Sequence, residues 1–222
     1  MTIRANNFTP EVLLSAPRRS PGVPNAEGTF ILYTTSTYSF KSHSKTTELR
    51  CLDVKSNESK LLTDEDGVGD PVWLADEPSL FVYLKSVEKS NTQVVIGNIA
   101  DWKQTHAAGV IEAPASSLKI AKLSNNTYAI VFAAQVHPNG SLFNPDSAPK
   151  ARSTGKLYKG LFVRHWDEYM TPEKNALFYS VLHKAHDGTY KLGKLVNALK
   201  DTGLESPVSP FGGIDSFDVS KR

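Results

Sequence analysis

With 222 residues, 40% of them hydrophobic and 22% charged, the chain has the composition of an ordinary folded protein and not of a disordered or collagenous one. Its 25 basic residues against 23 acidic ones leave a net charge of +2 with no long basic run, which argues against nucleic acid as a partner. The single cysteine, Cys51, excludes an intrachain disulfide, a zinc cluster and an iron–sulfur site, and no stretch approaches the roughly 18 apolar residues of a membrane helix.

Thr9-Pro10-Glu11 before Val12-Leu13-Leu14 predicts a short helix with Thr9 as its N-cap and Pro10 in its first turn. The prolines at 17, 21 and 24 then predict an irregular segment, ending in the turn Asn25-Ala26-Glu27-Gly28. Thr29 to Thr35 is β-branched and aromatic, hence a strand, and polar residues 39–45 predict a loop. Glu48 to Val54 alternates as a half-buried strand containing Cys51, which is expected to be a small buried hydrophobe. Ser56-Asn57-Glu58-Ser59 turns it into Lys60-Leu61-Leu62-Thr63.

The same pattern then repeats. Gly69 to Leu74, a turn at 75–78, the strand Leu80 to Leu84, the strand Thr92 to Ile99 and the segment Gly109-Val110-Ile111 make a second unit. A third begins at Leu118 to Leu123, turns at Ser124-Asn125-Asn126 and continues as Tyr128 to Ala133. The central strands start near Phe30, Leu80 and Tyr128, a period of about 50 residues that suits a four-stranded propeller blade. No helical period intervenes, which argues against a βαβ arrangement.

The third unit carries an insertion. His137-Pro138-Asn139-Gly140 is a tight turn, and residues 141–155, with the bases Lys150 and Arg152, predict an exposed loop. It leads to Leu161-Phe162-Val163-Arg164-His165-Trp166-Asp167-Glu168-Tyr169, whose apolar start predicts a strand entering a core and whose remainder is chemically dense. Arg164, His165, Trp166, Asp167 and Glu168 are the candidate substrate-binding residues: a guanidinium and carboxylates around an indole can hold either end of a peptide. The plainer expectation is that Arg164 and Asp167 satisfy one another beside a packed indole. Ala176 to Leu182 is a strand, His186-Asp187-Gly188-Thr189 a hairpin turn, and Tyr190 to Val196 the returning strand. His183 and His186, three apart, point to opposite faces of a strand and make no metal site, so neither metal nor cofactor is expected.

Fold class follows: all-β, a partial β-propeller of about three four-stranded antiparallel blades, near 16–65, 66–114 and 115–200, with the start of another over 206–222. A blade needs neighbours on both faces, so the expectation is an incomplete N-terminal propeller domain, a truncated product or a gene fragment.

Several stretches carry a family resemblance. Residues 8–19 (Phe8 to Arg19), the motif Arg164-His165-Trp166-Asp167-Glu168-Tyr169 followed by Thr171 to Phe178, and Ser209-Pro210-Phe211-Gly212-Gly213 resemble the fungal dipeptidyl peptidase V family, an acylaminoacyl-peptidase-like branch of the prolyl oligopeptidase family. The resemblance covers almost the whole chain. It implies a propeller that caps a C-terminal α/β-hydrolase domain and a serine-type activity releasing dipeptides from peptide N-termini. The hydrolase domain is then a missing partner and a peptide the substrate. The glycine-flanked Gly-X-Ser-X-Gly elbow that such a nucleophile requires does not occur in the sequence, so no catalytic residue is assigned and the chain alone is expected to be inactive. Asp167 and Glu168 are the first candidates for holding a substrate ammonium. A stand-alone β-repeat protein-binding module and a nonfunctional remnant are the alternatives. Family members are secreted, and the sequons at Asn7, Asn57, Asn125 and Asn139 would then be usable. Residues 1–15 lack a secretory pattern, which taken literally means the cytosol.

Overall fold

The structure, a computed structural model, describes residues 9–102, 104–149, 153–209 and 211–220; the sequon at Asn7, the loop bases Lys150 and Arg152 and the closing Lys221-Arg222 lie outside the described residues. Helix α1 (Pro10–Ser15) starts as expected, with Thr9 Oγ1 accepting the Val12 N–H at 3.3 Å and Pro10 placed where no N–H is needed. The proline-rich segment is not irregular. It forms two short strands, β1 (Arg18–Arg19) and β2 (Val23–Pro24), both antiparallel to β3 (Phe30–Ser39). An edge strand needs donors on one side only, so prolines interrupt it without removing it. In the gap, Ser20 accepts the Thr34 N–H on Oγ and donates its own N–H to the Thr34 carbonyl, each at 2.9 Å.

Asn25 closes the next turn by accepting the N–H groups of Thr29 and Phe30 on Oδ1, and Gly28 takes a φ of +68° that only glycine adopts freely. β3 pairs with β4 (Ser44–Asp53), which pairs with β5 (Glu58–Thr63). The loop expected over 39–45 is shorter, because the ladder runs out to Ser39 opposite Ser44 and residues 40–43 alone make the turn. The second sheet holds β6 (Val68–Trp73), β7 (Leu80–Val87), β8 (Asn91–Asn98) and β9 (His106–Ile111), paired in that order. The third begins with β10 (Ala115–Ser124) and β11 (Thr127–Val136). An insertion carrying the hairpin β12 (Arg164–His165) and β13 (Glu168–Tyr169) follows, and then β14 (Lys174–Lys184), β15 (Tyr190–Leu192) and β16 (Val196–Asn197). The strand expected over 190–196 is broken at Gly193, which donates its N–H to the Val181 carbonyl and passes so close to it that a side chain there would be crowded.

Each sheet is an antiparallel meander, and the three stack face to face, the architecture of propeller blades. Burial explains the sequence pattern. Strand β7 is apolar throughout its first half because Phe81 and Tyr83 face the first sheet while Val82 and Leu84 face the third. One core joins Leu32, Leu49, Cys51 and Leu62 to Trp73, Phe81, Tyr83 and Val95; burial pushes the Cys51 thiol up to about 11, leaving it a small hydrophobe. The other joins Leu84, Val94, Ile96 and Ile111 to Leu118, Ile130, Phe132, Phe178 and Leu182.

Polar ties fix the sheets' alignment. Trp73 Nε1 donates to the Val23 carbonyl at 2.8 Å, Tyr128 Oη to the Ala75 carbonyl at 2.9 Å, and the Ser117 N–H to Asp70 Oδ2 at 2.6 Å. Burial raises the Asp70 carboxyl and the N–H donors from the third sheet oppose that rise. Lys184 and Glu77 form an ion pair across the same joint. After the third sheet, the described residues 206–209 and 211–220 form a tail with a short 3-10 turn at Ile214–Ser216, and Lys119 Nζ donates to the Phe217 carbonyl at 2.5 Å. The sequons at Asn57, Asn125 and Asn139 all sit at exposed turns.

Candidate functional site

The insertion leaves β11 through the expected tight turn, with Gly140 at φ +81° and the His137 N–H donated to the Ser141 carbonyl at 2.9 Å. Its first part is not the free loop that composition predicts. Asn144 is buried, and its Nδ2 reaches the carbonyls of Lys89 and Glu112 and the Oδ1 of Asn91 at 2.9–3.1 Å, while its Oδ1 accepts the Asp146 N–H. The insertion is therefore fastened to the second sheet before it projects.

Leu161-Phe162-Val163 does not enter a core. Leu161 is 92% and Phe162 80% exposed, because β12 and β13 pair only with each other and no sheet face receives them. In this hairpin His165 stands opposite Glu168, and Arg164 opposite Tyr169. Trp166 and Asp167 make the two-residue turn, with Trp166 at φ +54° and 70% exposed. A bulky residue in the left-handed region costs about 1–3 kcal/mol and persists where the surroundings impose it. The expected Arg164–Asp167 pair does not form; among the described residues neither side chain has an ion-pair partner. The hairpin is braced by Tyr158, whose ring stacks on Tyr169 at 6.4 Å and whose hydroxyl donates to the Met170 carbonyl at 3.0 Å. Lys156 Nζ lies 4.9 Å from the centre of the Tyr169 ring.

Between the hairpin, the start of β14 and the tail lies a groove of about 410 Å³. His165, Glu168 and Tyr169 line it from the hairpin, Glu173 from the turn before β14, Lys174 and Asn175 from β14 itself, Glu205 from just before the tail and Ser209 from the tail. Asn175 holds the wall together: its N–H reaches Glu205 Oε1 at 3.3 Å, its Nδ2 the Pro207 carbonyl at 3.0 Å, and its carbonyl accepts the Ser206 N–H at 3.2 Å. Glu173 lies 3.9 Å from His137 Nδ1. Glu168 is different, since it lines the groove and its carboxylate has no hydrogen-bond or ion-pair partner among the described residues.

Of the five candidate residues, His165 and Glu168 line the groove and Trp166 stands beside it, while Arg164 and Asp167 are not part of its wall. Sequence reasoning missed Glu173 and Glu205 as members of the groove wall. The Phe211 ring meets Trp166 at 5.2 Å and His165 at 6.1 Å, so the motif at 164–169 and the one at 209–213 come together in space. Gly212 makes this possible: its N–H returns to the Val208 carbonyl at 2.7 Å in a turn too tight for a side chain. His183 lies against Thr127, and no group of His, Cys, Asp and Glu side chains among the described residues could hold a metal ion.

No family model matches the chain. Among curated proteins it is similar to dipeptidyl-peptidase 5 of Aspergillus oryzae, 34% identical over 223 residues, and to that of Aspergillus fumigatus, 33% identical over 221 residues. Each match covers 96% of this chain, which spans 30% of the relatives' length. Among solved structures the fold is similar to that of Pyrococcus horikoshii acylaminoacyl peptidase, with a TM-score of 0.52 at 6% identity, covering 83% of this chain and 26% of that one. An acylaminoacyl peptidase in complex with Z-Gly-Gly-Phe-chloromethyl ketone gives the same TM-score of 0.52 at 6% identity, covering 84% and 26%. The chain is thus similar along nearly its whole length to part of the dipeptidyl-peptidase 5 sequences, and its three antiparallel sheets have the fold of propeller blades.

Proposed function

We propose that this chain is the noncatalytic propeller portion of a serine-type dipeptidyl peptidase, and that its groove receives the free amino end of a peptide. The observation that carries this is the unpartnered Glu168 carboxylate in a groove built from the two motif stretches that resemble the family. Release of a dipeptide requires the ammonium to be fixed about 7 Å from the scissile bond, two extended residues away. A carboxylate does this with charge-assisted hydrogen bonds of about 1.5–3 kcal/mol each. Of the two acids expected in this role, Glu168 takes it and Asp167 stays in the turn. The names of the relatives and the peptidyl ketone held by one structural neighbour support a peptide as the ligand.

Titration calorimetry of the full 222-residue chain with a tripeptide and its N-acetylated form tests the reading. The free amine binds about tenfold tighter or better, and Glu168→Gln removes the difference. Equal affinity for the acetylated form defeats it. An active-site serine probe is expected to leave the chain unlabelled. The alternative, a stand-alone protein-binding module, draws on the exposed Leu157, Leu161 and Phe162 and predicts retention of a folded partner whether or not its N-terminus is blocked.

A further inference from the structure

The most exposed large apolar side chains of the described residues fall within one short stretch: Leu161 is 92%, Leu157 90% and Phe162 80% exposed. They precede the hairpin of β12 and β13, whose strands pair only with each other, so its outer edges are open. The arm is nevertheless held in place. Met170 donates its N–H to the Val163 carbonyl at 3.0 Å, Tyr158 stacks on Tyr169, and Asn144 fastens the first part of the insertion to the second sheet. An apolar patch on a fastened arm adds nothing to the cores, and it meets a partner with little left to order.

Beside this patch stand two charges of opposite sign. Arg164 and Asp167 are exposed, and neither has a hydrogen-bond or ion-pair partner among the described residues. Neither lines the groove, so the patch and the groove are separate surfaces.

We propose that the arm is a dimer interface and that its occupant is a second copy of this chain. A twofold interface is self-complementary: residue i meets residue j of the partner, and j meets i. Leu161 and Phe162 then pack against their own counterparts near the axis, and Arg164 of one protomer faces Asp167 of its partner on both sides of it. Charge chooses this occupant. A base and an acid three residues apart match their own twofold image, whereas a partner surface of a single sign would leave one of them opposite a like charge. A net charge of +2 gives the two copies little mutual repulsion. Few side chains make up the patch, so the interface belongs below the roughly 800 Å² per partner of a standard one, and the dimer is weak and reversible.

Sedimentation velocity of the full 222-residue chain over a range of concentrations tests this. The unmodified protein passes from monomer to dimer with a dissociation constant of about 1–100 μM. Phe162→Ser weakens the dimer about tenfold or more, and its thermal midpoint measured on the monomer stays unchanged because the ring is exposed. Arg164→Asp and Asp167→Arg each set like charges against one another in the homodimer and each weaken it about tenfold or more. An equimolar mixture of these two variants restores dimers, because every facing pair is then again a base and an acid; a chain that carries both changes dimerises on its own. Restoration by mixing also shows that neither variant is misfolded. A chain that is monomeric at about 100 μM, a dimer that survives either charge change, or two variants that fail to rescue one another overturns the proposal. Dimers lost in none of the three variants would place the contact on the open sheet faces instead.

Discussion

The backbone N–H of Tyr190, on the outer strand of the third sheet, donates to Nε2 of His106 on the outer strand of the second at 2.9 Å, and the two rings stack at 6.3 Å. A ring nitrogen accepts a hydrogen bond only while it is unprotonated, so this contact between sheets exists only for the neutral imidazole. Burial lowers the His106 pKa, and the Asp187 carboxylate, kept ionised by the hydroxyl and N–H of Thr189, pulls it partly back.

The direction of the pH dependence follows. Because the folded pKa lies below the ordinary value of 6.5, the stabilisation is fully present above that pH and is lost as the pH falls through the folded value. The loss is about 1 kcal/mol, that of one ordinary intramolecular hydrogen bond. Urea unfolding between about pH 8 and about pH 5 measures it against His106→Gln, which keeps an acceptor that does not titrate. Parallel curves for the two proteins would show that the imidazole is not the responsible group.

Packing in the other joint gives a second prediction. Gly97 lies directly over the ring of Phe81, which is fully buried and hemmed in by Trp73, Tyr83 and Trp102 at centroid distances of 6.0, 5.8 and 6.2 Å. A methyl group at Gly97 would overlap that ring, and the ring has nowhere to go. Gly97→Ala is expected to cost about 1–3 kcal/mol by overpacking, measured as a lower denaturant midpoint. Adding Phe81→Leu should make the alanine less costly than it is alone; strict additivity of the two changes would mean they do not touch.

The sheets were legible because their signals are local. The apolar run of β7, the turn residues Asn25, Gly28, Asp187 and Gly188, and the recurrence of the unit each follow from a few neighbouring residues. What failed depends on partners elsewhere in the chain. Leu161-Phe162-Val163 has the composition of a buried strand and differs from one only in lacking a sheet to join. Pro17, Pro21 and Pro24 argue against a strand unless it is known to lie at an edge. Phe211 reaches Trp166 and His165 through a hydrogen-bonded turn fixed on Asn175, and no pattern within either motif reveals that they meet.

Asn144 is the residue that turns an apparent loop into an anchored one, and its removal tests that role. Asn144→Ala would leave the carbonyls of Lys89 and Glu112 without this donor and free the Asp146 N–H, and Ser90 would retain its 2.8 Å bond to Asp146 only if the segment stayed docked. The local cost is about 1–3 kcal/mol. It falls on the attachment of the insertion, because the strands of the second and third sheets keep their own ladders and cores. Limited proteolysis should therefore cut within residues 141–160 faster in Asn144→Ala than in the unmodified chain, with the global unfolding midpoint changing much less. A large fall in that midpoint with no new cleavage would mean that Asn144 supports the sheets themselves and not the arm that carries the groove.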